Sequence, residues 1–475
     1  MAEQMIVDNW RDPVDAVVVG MGPGGEEVAG RLADAGLDVV GVDQRLLGGE
    51  CPYYGCIPSK AMVRAADLLA EAWRVPGMAG TCMVEPSWAP VARHVREATA
   101  DWSDKAAVDR FTARGGRFLR GRGRITGPGE VTVEDESGRE IVIRPRRAIV
   151  LGTGSEPAVP PIPGLAGTPF WTNREAVAAE EVPRSLAVLG GGAVGLELAQ
   201  VFARFGADVT VVEAAPRLLP AEEPEAGELL LRVLTEAGLT VHLGSLAAAV
   251  GHDGSAFTVD TDRGDRVTAE RLLVATGRRV DVEGTGLAAL GLGDASGLHA
   301  VPADDRMRVL PPLGSRPGVW AIGDAVGRGA FTHVAMAQAD VAVRGILGEG
   351  GPPWSDRATP RVTFTEPEVG AVGLTEHQAV EQGLQVRTGT ADLRSGARGR
   401  LHGPGGDGFV KVVADTAAGT LVGATAAGPA GAGGEMVSAL TLAVHARVPV
   451  SDLARVTWAF PTFHRTIAEA VKMVL

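Results

Sequence analysis

Residues 15–43 read DAVVVGMGPGGEEVAGRLADAGLDVVGVD, and this stretch decides the fold class. Asp15–Gly20 is a short apolar run ending in glycine, the pattern of a strand buried in a parallel sheet. Gly22–Leu32 has helical spacing, Gly36 stops the helix, and Leu37–Asp43 is a second strand. Together they form a βαβ unit. Its motif Gly20-x-Gly22-x-x-Gly25 gives each glycine a task. Gly20 permits a tight turn, Gly22 lets the backbone approach a pyrophosphate, and Gly25 lets the helix lie close to the strand. The helix N-terminus faces the phosphates. Asp43 ends the second strand, where a carboxylate can accept hydrogen bonds from a ribose.

The pattern returns downstream. Ser185–Gly190 (SLAVLG) is a strand, Ala193–Phe205 a helix stopped by Gly206, and Ala207–Glu213 (ADVTVVE) a strand. The second motif is Gly190-x-Gly192-x-x-Gly195, with Glu213 in the acid position. Two such units imply two dinucleotides, hence a flavin (FAD) and a nicotinamide. Glu213 would bond the ribose hydroxyls and repel a 2′-phosphate, which favours NAD(H) over NADP(H). Arg217 lies four residues on and could soften that choice, or it is a solvated surface arginine. Pro157–Gly164 (PAVPPIPG) is unsuited to regular structure and reads as the crossing from the first module to the second.

Between the modules, Asp67–Trp73 and Val91–Arg110 read as helices. Arg117–Ile143 alternates, with turns at Gly127-Pro128-Gly129 and Ser137-Gly138, and reads as a strand meander. Leu272–Gly277 and Val319–Asp324 are further apolar strands. After about Gly351 the period changes. Arg361–Thr365, Val386–Leu393, Gly408–Asp415 and Leu421–Ala427 predict an antiparallel sheet, with Gly434–Ala446 and His464–Val474 as helices upon it. The expected fold class is α/β, with two Rossmann-like three-layer domains followed by an α+β domain.

Composition sets bounds on partners. At 475 residues the chain exceeds what one core supports. A formal net charge of −13 and no long Lys/Arg run argue against nucleic acid or an anionic membrane as partner. No run approaches the roughly 20 apolar residues of a membrane span. Residues 1–15 show no basic, then apolar, signal-peptide pattern. Three cysteines are too few for a disulfide scaffold, so a cytoplasmic setting is expected.

Two of those cysteines stand in Gly48-Gly49-Glu50-Cys51-Pro52-Tyr53-Tyr54-Gly55-Cys56-Ile57-Pro58-Ser59-Lys60. Cys56 enters a helix whose first turn holds Pro58, and a thiol at a helix N-terminus has its thiolate stabilised. Two buried structural cysteines or half a metal site are the other readings, but no second Cys or His pair with zinc spacing is present, so no metal is expected. Cys82 reads as a passive small hydrophobe. The only tyrosines, Tyr53 and Tyr54, lie between the two cysteines, and Lys60 is one of only four lysines.

This segment resembles the redox-disulfide motif of the class I flavoprotein disulfide reductases, which include dihydrolipoamide dehydrogenase, glutathione and mycothione reductases and mercuric reductase. The resemblance runs nearly end to end. Ala148–Ser155 (AIVLGTGS) and Leu273–Arg279 (LVATGRR) are similar to the family's two crossover strands. Thr153, Gly154, Ser155 and Gly277, with Gly49 from the cysteine motif, thereby join the cofactor-binding positions. Ala321–Ala325 (AIGDA) resembles the segment whose Asp, here Asp324, bonds the ribityl chain of the flavin. Val362–Leu374 resembles the opening of the dimerisation domain. The resemblance implies an FAD domain in two parts, 1–156 and 275–350, an NAD(P) domain at 157–274, and a dimerisation domain at 351–475. It implies that Cys56 is the thiol against the flavin and Cys51 the interchange thiol. Lys60 would sit near the flavin, paired with Glu197 from the second βαβ helix; a solvated helix-surface lysine is the other reading.

Two departures bear on the substrate. The family completes its site with His-Pro-Thr-x-x-Glu from the C-terminus of the partner subunit. Here Phe460 holds the His position, followed by Pro461-Thr462, while His464, Thr466 and Glu469 match four residues late. Four residues is about one helical turn, so His464, oriented by Glu469, could reach the same space. Phe460, Tyr53 and Tyr54 would then wall an apolar substrate pocket. Glu50 stands where Thr is usual. The expected enzyme is a homodimer passing electrons from NAD(P)H through FAD and the Cys51–Cys56 pair to a disulfide-like or other small electrophile. The alternatives are a flavin reductase that bypasses the disulfide, acting on a quinone, a metal ion or a second nicotinamide, and a non-catalytic FAD-bearing subunit.

Overall fold

The computed structural model describes residues 14–291, 297–310 and 317–475. The chain divides into two compact units. The first gathers the stretches up to Ile57, Arg96–Glu156 and Arg278–Asp356. At its centre is a five-stranded parallel sheet in the order Gly318–Ala321, Ala148–Leu151, Ala16–Val19, Val39–Asp43, Arg117–Arg120. Alternation along a strand assigns its side chains to two layers. Ala16 and Val18 pack with helices Pro23–Asp34, Lys105–Ala113 and Thr332–Leu347. Val17 and Val19 pack beneath an antiparallel sheet of Arg122–Gly127, Glu130–Glu134 and Glu140–Ile143.

The expected meander therefore splits. Arg117–Arg120 joins the parallel sheet, and only the later strands form the antiparallel layer. The expected helix Val91–Arg110 also splits, into Ala89–Ala98 and Lys105–Ala113. Between them Ala100, Asp101 and Trp102 take φ of 50°, 53° and 55°. A right-handed helix cannot pass through such residues, and each costs an L-amino acid about 1–2 kcal/mol.

The second unit gathers Pro58–Val95, Pro157–Gly277 and Arg357–Leu475. It holds a parallel sheet in the order Thr240–Leu243, Asp208–Glu213, Ser185–Leu189, Arg271–Val274, with helix Ala193–Arg204 following its third strand. An antiparallel layer of Ala247–His252, Phe257–Thr261 and Arg266–Ala269 shares its core. The C-terminal stretch forms a five-stranded antiparallel sheet in the order Pro360–Thr363, Glu368–Gly373, Thr420–Gly428, Phe409–Asp415, Val386–Asp392. Helices Ala432–His445 and Arg465–Lys472 bury Val437, Leu440, Ile467 and Val471 with it. Strand Glu368–Gly373 was not anticipated. Its sequence EVGAVG lacks alternation because both faces are buried.

Among the described residues, no helix is long and apolar enough to cross a membrane.

Candidate active site

The two glycine loops are built alike. Gly20 has φ of +91°, and a Cβ on it would lie 2.3 Å from the Gly152 carbonyl oxygen; one on Gly25 would lie 2.0 Å from the Gly20 oxygen. In the second loop, Cβ atoms on Gly190 and Gly195 would lie 2.3 and 2.2 Å from the Ala275 and Gly190 oxygens. Gly22 and Gly192 differ. Each precedes its helix in extended conformation, and a Cβ on either meets nothing within 4 Å. Open space at a helix N-terminus, faced by backbone N–H groups, suits a phosphate. Both loops fit the pyrophosphate of a dinucleotide.

The acid at each second strand is locked to its glycine loop. Asp43 accepts the Met21 N–H at 2.8 Å and the Arg45 N–H at 2.7 Å. Glu213 accepts the Gly191 and Ala215 N–H groups. Carboxylate oxygens keep further lone pairs, so both acids remain able to accept a ribose hydroxyl. Burial pushes the Asp43 pKa above its ordinary value, against the pull of its two N–H donors.

The cysteine motif lies over the first glycine loop. A Cβ on Gly49 (φ +67°) would come within 2.8 Å of the Gly22 Cα, and the Gly48 N–H donates to the Met21 carbonyl at 2.7 Å. Cys51 sits in the short helix Glu50–Tyr53 and is half-buried; Cys56 opens the helix Cys56–Arg74 and is exposed. Gly55 folds between them, its ideal Cβ 3.5 Å from the Cys51 Cα. The Cys56 Sγ lies 3.6 Å from the Thr332 Oγ1. Tyr54 is half-buried. Tyr53 is 6% exposed, its ring beside Gly48. Burial first, then the charges of Asp104 and Glu26, push its phenol pKa up.

The first crossover and Asp324 meet through Ser155, whose hydroxyl donates to Asp324 at 2.5 Å. Arg278 donates to the Ser155 hydroxyl (2.7 Å) and carbonyl (2.6 Å), and its guanidinium stands 3.8 Å from both Glu50 and Asp324. Ser155, Arg278 and Asp324 border a cavity of about 430 Å³ that also takes in Asp281, Glu283 and His299. A second opening is lined by Gly20, Asp43, Thr153 and Gly154, together with Gly121 and Gly123. Sequence reasoning missed Arg278 and this glycine pair; Gly121-x-Gly123 within an alternating strand was the available signal.

In the second unit the Lys60 ammonium donates to Glu197 at 2.6 Å and lies 4.5 Å from the centre of the Phe364 ring. Glu197 is buried and also accepts the Phe364 N–H at 2.9 Å. Gly277 (φ +116°) accepts the Ala158 N–H through its carbonyl at 2.9 Å.

The C-terminal motif is not arranged as expected. Residues 460–464 are turn and irregular chain, and the helix begins at Arg465, so Phe460 and His464 are not one turn apart on a common helix. The His464 Nε2 faces the Glu435 carbonyl oxygen at 3.4 Å, and its ring stacks on Trp458. Glu469 accepts the Ser395 hydroxyl at 3.3 Å. The structure does not bring His464 and Glu469 together. Phe460 is 70% exposed.

Two glycine loops with locked acids, and a cysteine pair laid over one of them, define a nucleotide-linked flavoprotein oxidoreductase. The chain belongs to the pyridine nucleotide-disulphide oxidoreductase family, which it matches over residues 14–339, with the dimerisation domain of that family at residues 359–471. It is 36% identical over 464 residues to the dihydrolipoyl dehydrogenase of Chlorobaculum tepidum, covering 96% of each chain. It is 33% identical to the mercuric reductase of Shewanella putrefaciens, covering 96% of this chain and 79% of that one. Among solved structures, LpdA from Mycobacterium tuberculosis superposes with a TM-score of 0.83 at 25% identity, covering 97% of this chain and all of that one. The HOCl-induced flavoprotein disulfide reductase RclA from Escherichia coli shares the fold, with a TM-score of 0.82 at 25% identity and coverage of 97% and 100%. The chain is thus an FAD-dependent oxidoreductase linked to a pyridine nucleotide.

Proposed function

We propose that the enzyme takes electrons from NADH in preference to NADPH and delivers them, through the Cys51–Cys56 pair, to a small disulfide or similar electrophile. The observation that carries this is the cysteine motif seated on the first glycine loop through Gly48 and Gly49. Bound FAD supplies two-electron transfer between the nicotinamide and the cysteines.

The NADH preference rests on Glu213 and Arg217. Glu213 is held as a hydroxyl acceptor. Arg217, the nearby cation, donates to the Pro220 and Glu222 carbonyls at 2.7 and 2.6 Å and is thereby drawn away from a 2′-phosphate. In the reduced enzyme Cys51, as thiolate, attacks one sulfur of the substrate disulfide. That S–S bond breaks, and the departing thiolate takes a proton. Cys56 then attacks Cys51 in the mixed disulfide, the Cys51–Cys56 bond forms, and the second substrate thiol leaves. His464 of the partner subunit moves the proton, with its ring placed by the Glu435 carbonyl rather than by Glu469. Tyr53 is a poor substitute, because its raised pKa makes it a weaker acid. Lys60, fixed by Glu197, supplies a positive charge.

Anaerobic titration with NADH tests this reading. Uptake of four electrons, with a long-wavelength band from the Cys56 thiolate after the first two, is the expected result. Full reduction at two electrons without that band would overturn it in favour of direct transfer to a quinone, a metal ion or a second nicotinamide. The separation of His464 from Glu469 is what keeps that second reading in view.

A further inference from the structure

The helix that carries Cys51 spans only Glu50–Tyr53, with the Tyr54 N–H closing on the Glu50 carbonyl at 2.8 Å. A helix this short does not hold itself, and its last carbonyls need donors from elsewhere. Gly49 at its start provides no side-chain cap. Trp102 provides one at its end: the indole Nε1–H donates to the Tyr53 carbonyl at 3.0 Å. Two residues on, buried Asp104 accepts the Leu47 N–H at 2.7 Å and the Arg120 guanidinium at 2.6 Å. The segment Thr99–Asp104 thus grips the cysteine loop on both sides of Gly48-Gly49.

That segment is itself strained. Ala100, Asp101 and Trp102 make a left-handed turn, closed by Trp102 N–H to the Thr99 carbonyl at 3.0 Å and Ser103 N–H to the Ala100 carbonyl at 3.1 Å. Of the three only Asp101 is of a type that visits this region with any ease; Ala100 and Trp102 are not. Strain of this kind persists where the surroundings enforce it, and it collects at functional sites.

We propose that Trp102 is a positioning residue for Cys51. By capping the Glu50–Tyr53 helix, it holds the interchange thiol where it closes on Cys56, and so favours the oxidised pair over the dithiol. The proposal rests on the reading of Cys51 and Cys56 as the redox pair.

The test uses the FAD-loaded holoenzyme carrying Trp102→Phe, which keeps a ring and removes the donor. Cys56 belongs to the next helix, so the long-wavelength band at two electrons should persist. The dithiol–disulfide equilibrium should move about tenfold toward the dithiol, the order expected for one lost hydrogen bond; for a two-electron couple that is a potential less negative by about 30 mV. Iodoacetamide should alkylate Cys51 of the reduced enzyme about tenfold faster. A potential and an alkylation rate both matching wild type would overturn the proposal. Should Trp102→Phe fail to fold, a tryptophan analogue with sulfur in place of the indole N–H, installed at position 102, removes the donor at constant shape and is judged by the same two values. A wild-type enzyme with no long-wavelength band would instead overturn the disulfide reading, and this role with it.

Discussion

Gly22 and Gly25 stand three residues apart and are glycine for opposite reasons. Gly25 packs on backbone, whereas Gly22 borders open space at a helix N-terminus. Gly25→Val should therefore lower the melting temperature or prevent folding. Gly22→Val should leave the melting temperature of the flavin-free protein within a few degrees while removing bound flavin. Full flavin occupancy in purified Gly22→Val would contradict the pyrophosphate assignment. The cysteines should separate likewise. Cys56→Ser should abolish the long-wavelength band, and Cys51→Ser should show it even in oxidised enzyme, because Cys56 opens the longer helix and its thiolate gains from that position. The opposite pattern in absorbance spectra would mean that the two roles are exchanged. The glycines and cysteines were legible because their tasks are local and each motif spans a single turn. Trp102 was not. Its turn is written Ala-Asp-Trp, with no glycine and only one aspartate to announce three successive left-handed residues, and its partner carbonyl lies 49 positions away.

Elements meet through charges that sequence spacing does not reveal. Strand Phe409–Asp415 carries Lys411, 4% exposed, whose ammonium contacts Glu223, Glu225 and Glu376 at 2.8–2.9 Å. Glu223 and Glu225 lie at the start of helix Pro224–Glu236, and Glu376 starts Glu376–Glu381. Lys411→Met would leave Glu223 buried without its cation, at a cost of about 3–5 kcal/mol, visible as a lower denaturant midpoint. Burial lowers the Lys411 pKa, but the hydrogen bonds it donates to Glu225, Glu376 and Glu223 outweigh that and raise the pKa above the usual lysine value. A raised ammonium pKa stabilises the fold fully below the ordinary lysine value and loses that contribution only as pH climbs beyond it. The stability gap between wild type and Lys411→Met should thus show no loss as pH rises to about 9, and should narrow only toward low pH, where the variant's buried Glu223 takes up a proton. A gap closing as pH rises to about 9 would show that the lysine is not held as drawn. The inner strands of both parallel sheets were legible as apolar runs, but the edge strands Arg117–Arg120 and Thr240–Leu243 were not, and this cluster joins Lys411 to acids as far as 188 positions away, which only folding brings together.

For the whole molecule, the proposed placement of His464 in the partner's site makes activity a property of pairs. Mixing Cys51→Ser and His464→Ala subunits should yield heterodimers with one doubly defective site and one intact site. About half of wild-type turnover per heterodimer should appear, although His464→Ala alone slows reoxidation by roughly 10²–10⁴-fold. Heterodimers as inactive as their parents would place the two residues in the same subunit's site, whereas a fully active His464→Ala parent would remove His464 from the chemistry. The first parallel sheet carries a different consequence. Strand Ala148–Leu151 pairs on one side with Ala16–Val19 and on the other with Gly318–Ala321. A ribosome adding roughly 5–20 residues per second needs roughly ten to thirty seconds to travel from Ala148–Leu151 to its second partner. Throughout that interval one edge of Ala148–Leu151 has no neighbour of its own chain, and an unpaired apolar edge is a template for wrong pairing. The yield of active enzyme from any host will therefore depend on what shields that edge during translation.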